Sequence, residues 1–110
     1  MADAPPLPNL FAHIPAPARD EEFRDILRRP GCRIERIVSH GQVTPADAPY
    51  VQDHDEWVLL LAGKAVVAVA DREVALLPGD HLMIPAGVVH RVTFTDPAAP
   101  TIWLALHFDQ

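Results

Sequence analysis

Four polar side chains stand at every second position just before a strongly apolar segment: Tyr50, Gln52, His54 and Glu56. In an extended strand alternate side chains share one face, so these groups point the same way unless a bulge intervenes. Imidazole, carboxylate and amide donors that converge on one cavity, with a further imidazole such as that of His90, suit Mn, Fe, Ni or Zn. The chemistry would be polarisation of a substrate oxygen, with Tyr50 available as an acid or hydrogen-bond donor.

A spaced glycine, proline and histidine pattern lies downstream of this segment. Gly79, Pro85, Gly87 and His90 fill the first four fixed places of G-x5-P-x-G-x2-H-x3-N, and Phe94 occupies the Asn place. Pro78-Gly79 suits a type II turn, because proline presets the first central residue and glycine supplies positive φ at the second.

A second pattern lies upstream, where Glu56 precedes Gly63 by seven positions, as in the second half of G-x5-H-x-H-x3,4-E-x6-G. The two His places of that pattern fall on Tyr50 and Gln52. Together the two patterns resemble the signature motifs of the cupin superfamily, over roughly residues 33–108.

The resemblance implies an all-β fold, the double-stranded β-helix or jelly-roll barrel of the cupins, in a small single-domain protein. Cupins include dioxygenases, isomerases, epimerases, decarboxylases and non-catalytic binders, so the fold alone selects no reaction. Glu56 and His90 match metal-ligand positions of the family, whereas His54 and Gln52 join them by strand parity alone. We therefore predict one divalent metal (Mn, Fe, Ni or Zn) on His54, Glu56 and His90, with Gln52 assisting, beside a small-molecule ligand. A metal-dependent dioxygenase or isomerase is the corresponding enzyme class.

Each candidate ligand also has an ordinary structural interpretation. His54 lies in the acidic run 53–56 and can be solvated there, and Glu56 can be an exposed strand charge. His90 can be a satisfied core histidine, and Gln52 can bond to backbone. The missing His pair favours an alternative function: a non-catalytic, metal-free barrel that binds a small ligand or acts as a dimeric interaction module. The sequence leaves open whether the protein is an enzyme.

The last apolar segment leaves one further histidine undecided. Its alternate apolar residues form one face, which places His107 and Trp103 on the other; the apolar set is Ile102, Leu104, Leu106 and Phe108. If the apolar face fills the barrel, His107 lies outside. If that face packs against a second subunit, His107 enters the cavity.

The remaining pattern predicts the elements that position these groups. Residues 1–32 form a proline-rich leader and one short helix at Asp20–Arg29, because Phe23, Ile26 and Leu27 share a helical face. Residues 33–110 form the barrel, with short β-rich runs between turn residues. The expected strands are 33–39, 50–52, 56–62, 65–70, 73–77, 81–84, 89–95 and 101–108.

The composition of the sequence restricts which binding partners and which cellular location we expect. A formal net charge of -6 and interleaved acids argue against a nucleic-acid partner. No apolar run approaches the roughly 20 residues of a membrane-spanning helix, and the single cysteine, Cys32, fits a reducing compartment. We expect a cytoplasmic homodimer, because short barrels commonly pair to cover sheet edges. No G-x-S-x-G or phosphate-binding glycine motif occurs, so covalent catalysis and nucleotide cofactors are not expected.

Overall fold

The computed structural model describes residues 7–109, and every regular element in that range is a β-strand. The strands are β1 (Glu22–Arg29), β2 (Cys32–Ser39), β3 (Asp55–Ala62), β4 (Ala65–Val69), β5 (Arg72–Leu76), β6 (His81–Ile84), β7 (His90–Thr95) and β8 (Thr101–Phe108). The part of the chain that is described therefore contains no helix long and apolar enough to cross a membrane.

The strands form two antiparallel sheets that pack face to face. The larger sheet has the order β1-β2-β8-β3-β6, and the smaller has the order β5-β4-β7. Side chains alternate between the interior and the outer faces, so β3 buries Glu56, Val58 and Leu60. The core joins both sheets, with Leu60 and Trp103 of the larger against Val67 of the smaller. This arrangement confirms the predicted all-β jelly roll.

The predicted helix at Asp20–Arg29 is wrong, because residues 22–29 form β1 and pair antiparallel with β2. Phe23, Ile26 and Leu27 fit a helical face, but an adjacent strand supplies a ladder of backbone hydrogen bonds that a short helix cannot match. The segment 30–31, which a helix interpretation takes as a stop, instead joins the two strands as a two-residue turn. Gly31 has a φ of 81°, the value expected at the third position of a type II turn.

The strand predicted at residues 50–52 is reduced to one isolated bridge between Tyr50 and His90. The other predicted strands lie within two residues of the observed bounds at either end. Residues 51–54 contain no regular strand, so side-chain alternation does not run unbroken from Tyr50 to Glu56.

One buried arginine fastens the N-terminal segment to the outer side of the larger sheet. The guanidinium of Arg36, which is 2% exposed, donates to the carbonyls of Leu10, Ala12 and His13 at 3.2, 2.7 and 3.2 Å. It also pairs with the carboxylate of Glu22 at 2.8 Å. The described part of the leader therefore lies against the barrel and is not a free tail.

Candidate functional site

A cavity of about 90 Å³ lies between the two sheets and contains most of the predicted site residues. Strands of both sheets and the segment before β3 contribute to it. Its lining is Glu21, Phe23, Glu35, Ile37, Tyr50, Gln52, Glu56, Val58, Val67, Ile84, His90, Val92, Trp103 and His107. The polar groups are carboxylates, imidazoles, one amide and one phenol, set among aliphatic and aromatic walls.

Glu56 of β3 and His90 of β7 face each other across the cavity, and each is 7% exposed. Oε1 of Glu56 lies 3.6 Å from Nε2 of His90. Nδ1 of His90 donates to the carbonyl of Val88 at 3.1 Å, which fixes the ring and turns Nε2 toward the carboxylate. Burial alone would lower the pKa of His90, but the neighbouring carboxylate and the carbonyl outweigh it and raise that pKa.

Tyr50 and Gln52 reach the cavity because their segment pairs with the start of β7. Backbone hydrogen bonds link Tyr50 and His90 in both directions, at 2.8 and 3.0 Å, and Gly87 donates to the carbonyl of Gln52 at 2.7 Å. The rings of Tyr50 and His90 stack with centroids 5.6 Å apart. Burial and the negative charges of nearby glutamates raise the pKa of Tyr50. Among the described residues, Oε1 of Gln52 is buried without a hydrogen-bond partner.

His107 enters the cavity, which settles the alternative that the sequence leaves open. It is 2% exposed, and its Nε2 lies 2.8 Å from Oε1 of Glu35 and 3.8 Å from Oε2 of Glu56. Burial would raise the pKa of Glu35, but the bond to His107 and the charge of Arg33 outweigh it and lower that pKa. The apolar face of β8 is consequently turned outward, and its Leu104 lines a groove on the outer side of the sheet.

His54 does not line the cavity. Its Nε2 lies 2.9 Å from Nδ1 of His107, and its Nδ1 lies 3.2 Å from Oδ1 of the exposed Asp53. Because the chain bends ahead of Asp55, strand parity does not carry His54 to the face of Glu56. His54 therefore contacts Nδ1 of His107, the ring nitrogen that does not face Glu35.

A third carboxylate, Glu21, reaches the cavity from the residue ahead of β1. The hydroxyl of Ser39 donates to Oε2 of Glu21 and accepts from Nε1 of Trp103 at 3.2 Å. Burial raises the pKa of Glu21, and the bond from Ser39 opposes this only in part. The protonated form of Glu21 is therefore favoured relative to a free glutamate.

Sequence reasoning brought Tyr50, Gln52, Glu56 and His90 to one cavity, and the structure places all four there. It missed Glu21 and Glu35. Neither face of β2 is uniformly apolar, since Arg33 and Glu35 alternate with Ile34 and Arg36, so the pattern could not tell which face is inside. The absence of an apolar face on β2 is itself the signal that a polar group is buried on that strand.

The donors as placed suit weak rather than tight metal binding. Glu56 and His90 converge, the unpaired amide oxygen of Gln52 lies on the same cavity, and His54 is turned elsewhere. Within residues 7–109, no three His, Cys, Asp or Glu side chains are arranged to hold a metal ion. The metal predicted on His54, Glu56, His90 and Gln52 therefore remains a prediction, and of those four residues three line the cavity, with one carboxylate, one imidazole and one amide oxygen.

Comparison with known proteins gives a family match and several similar structures. The family model described as Cupin domain matches residues 36–107. A protein of Ralstonia eutropha JMP134, provisionally named a mannose-6-phosphate isomerase, is 42% identical, with a TM-score of 0.90 over 96% of this chain and 100% of that one. A cupin superfamily protein of Desulfitobacterium hafniense DCB-2 is 21% identical, with a TM-score of 0.77 over 99% and 94% of the two chains. A protein of Thermus thermophilus is also 21% identical, with a TM-score of 0.79 over 93% and 95%. No protein of curated function matches the chain.

Proposed function

This chain belongs to the cupin family, and from that premise we propose that its barrel binds a small organic molecule that donates hydrogen bonds to Glu56 and its neighbours. One observation carries the proposal. The carboxylate of Glu56 is 7% exposed and faces the cavity, yet among residues 7–109 the imidazole nitrogens nearest to it, of His90 and His107, lie 3.6 and 3.8 Å away. A buried carboxylate without a close donor is costly, so a ligand that supplies a donor is stabilised there.

The cavity limits the size of that ligand. Typical pockets for drug-sized molecules measure about 300–1,000 Å³, against about 90 Å³ here. If one water occupies about 10–15 Å³ by this measure, the cavity has room for about six to nine water-sized groups. The ligand is therefore a molecule of few non-hydrogen atoms.

The lining also bears on the activity named for the Ralstonia protein. A sugar phosphate carries a dianion, which proteins bind with Arg, Lys or backbone amides. The lining contains three glutamates and neither Arg nor Lys. Both charge and volume therefore argue that the ligand of this chain is not a hexose phosphate.

The same residues provide for proton transfer to or from the bound molecule. His90 keeps its Nδ1 proton on the carbonyl of Val88, so exchange takes place at Nε2 or at the carboxylate of Glu56. The raised pKa of His90 and the carboxylate of Glu56 3.6 Å from its Nε2 allow one group to accept a proton while the other donates. An isomerase that moves a proton within a small molecule is the enzyme class that this arrangement supports.

A divalent metal is the second candidate, and the orphaned Oε1 of Gln52 favours it. Glu56, His90 and Gln52 would hold the ion. When bound, such an ion would polarise a substrate oxygen. Elemental analysis of protein purified without a metal-affinity tag tests this candidate, together with calorimetric titration of Zn²⁺ into wild type and His90→Ala. Stoichiometric metal that is lost in His90→Ala supports it; failure of both samples to hold metal counts against it.

The ligand proposal is tested by NMR with a library of molecules of up to about nine non-hydrogen atoms. We expect shifts confined to residues around the cavity. Val92→Phe fills the cavity and abolishes them, whereas Val66→Phe, at an outward position of the neighbouring β4, leaves them unchanged. The proposal fails if no molecule in the library shifts those resonances, or if Val92→Phe binds as well as wild type.

A further inference from the structure

We propose that the molecule bound in the barrel is a small organic cation, an ammonium group with short apolar substituents. This inference rests on the proposed function and names the class of ligand. It follows from the unpaired charges, the hydrogen-bond inventory and the walls of the cavity.

The carboxylates of the cavity are unequally compensated. Glu35 has both His107 at 2.8 Å and Arg33 at 2.9 Å. Glu56 has only imidazoles beyond 3.5 Å, and the hydrogen bond found for Glu21 comes from the neutral hydroxyl of Ser39. Among residues 7–109, these two carboxylates therefore have no charged group within hydrogen-bonding distance, although His90 lies 3.6 Å from Glu56, and burial makes their charge expensive.

The cavity contains acceptor atoms that have no close donor among residues 7–109. Several of its donors are already engaged: Nε1 of Trp103 on Ser39, Nδ1 of His90 on Val88 and Nε2 of His107 on Glu35. Acceptor capacity is left on Glu56 and on the buried Oε1 of Gln52. A ligand that only accepts hydrogen bonds would leave these acceptors without a donor, whereas an ammonium group carries donors and no acceptor.

The walls distinguish an organic cation from a bare ion. Three aromatic residues line the cavity from separate segments, Phe23 on β1, Trp103 on β8 and Tyr50 ahead of β3, with valine and isoleucine between them. Aromatic faces attract ammonium groups; Trp103 is 4% exposed, whereas Phe23 and Tyr50 are partly open to solvent, at 54% and 41%. The aliphatic side chains suit short alkyl substituents. A hydrated metal ion gains nothing from such walls. The raised pKa of the partly buried Glu21 agrees, because its desolvation is only in part offset by the hydrogen bond from Ser39.

The experiment compares four probes by calorimetry at pH 7: three organic molecules of similar size, n-propylammonium, 1-propanol and propionate, and the metal ion Zn²⁺. We expect n-propylammonium to bind about tenfold more tightly than 1-propanol, which corresponds to one charge-assisted hydrogen bond of about 1.4 kcal/mol, and propionate not to bind. Glu56→Gln and Glu21→Gln should each weaken n-propylammonium by about tenfold. Glu73→Gln, the same change on the exposed part of β5, should have no effect.

Each other outcome overturns the inference in a recognisable way. If 1-propanol binds as tightly as n-propylammonium, the ligand is not cationic although the cavity still binds small molecules. If Zn²⁺ alone binds, the metal candidate replaces the organic cation. If none of the four probes binds, and the library also gives no shifts, the proposed function fails together with the inference. Because the comparison of probes uses the wild-type protein, a variant that fails to fold does not obscure the result.

Discussion

Replacing Gly63 with alanine should be far more damaging than the same change at Gly79, although both glycines are left-handed motif positions. Their φ angles are 84° and 94°, so each alanine costs about 1–2 kcal/mol for that conformation. At Gly63 an added Cβ would also lie 2.5 Å from Oγ1 and 2.7 Å from Cα of Thr101, and 2.9 Å from the carbonyl oxygen of Pro100. At Gly79 no atom of the described residues lies within 4 Å of an added Cβ, apart from those of its chain neighbours.

Because two of the three atoms near Gly63 belong to the backbone at the start of β8, a side-chain rotation cannot relieve the contact. Overpacking of this kind costs about 1–3 kcal/mol, so Gly63→Ala should lose about 2–5 kcal/mol of unfolding free energy and Gly79→Ala about 1–2 kcal/mol. Urea denaturation followed by tryptophan fluorescence measures both, and equal slopes establish that the midpoints report stability. Equal losses in the two variants would refute the packing argument.

Three further predictions concern the leader, the buried acid and self-association. Arg36→Leu should lower the unfolding free energy by about 3–5 kcal/mol and release the leader from the sheet, which is measured as faster proteolysis ahead of β1. Arg72→Leu, at the exposed end of β5, should have neither effect. The pKa of Glu21 is raised on folding, so its charge destabilises the fold as the pH rises above the ordinary value of 4.5. The unfolding free energy of Glu21→Gln relative to wild type, measured by urea titration, should therefore be higher at pH 7 than at pH 4. An equal difference at the two pH values contradicts this. A second copy of the chain should pack against the outward row formed by Met83, Trp57 and Leu106. Light scattering should therefore give a mass of twice 12.1 kDa for wild type and the monomer mass for Met83→Glu. A monomeric wild type contradicts the prediction.

The fold was largely predictable because glycines occur at several of its turns. Gly63, Gly79 and Gly87 all adopt positive φ, where glycine is strongly favoured, and they bound the strands at the predicted places. The helix was mispredicted because apolar residues at 23, 26 and 27 fit a helix, and they also fit a strand with a bulge, which β1 has between Asp25 and Leu27. A bulge depends on the partner strand and leaves no mark in the local pattern.

The site was predictable where it follows motif spacing and not where it depends on strand pairing. Glu56 and His90 were found from their distance to nearby glycines. Glu35 joins His107 only because β2 lies beside β8 with Glu35 opposite Ala105, a contact between segments some seventy residues apart. His54 was misplaced for the related reason that parity assumes a regular strand, and the chain bends there.

Tyr50 and Gln52 occupy the two positions where the family pattern has histidine, and they explain how this cavity differs from one that binds a metal through those histidines. The backbone at Tyr50 and Gln52 is held by its bonds to His90 and Gly87, so the side chains at these positions enter the cavity whatever their type. With imidazoles there, two more nitrogen lone pairs would join Glu56 and His90 as metal donors. A phenol and an amide instead supply an aromatic wall and a neutral acceptor, while the carboxylate of Glu56 is retained. The cavity thus keeps the negative charge of Glu56 but has fewer metal donors than one with imidazoles at positions 50 and 52. This combination favours a cation that aromatic and aliphatic groups can surround.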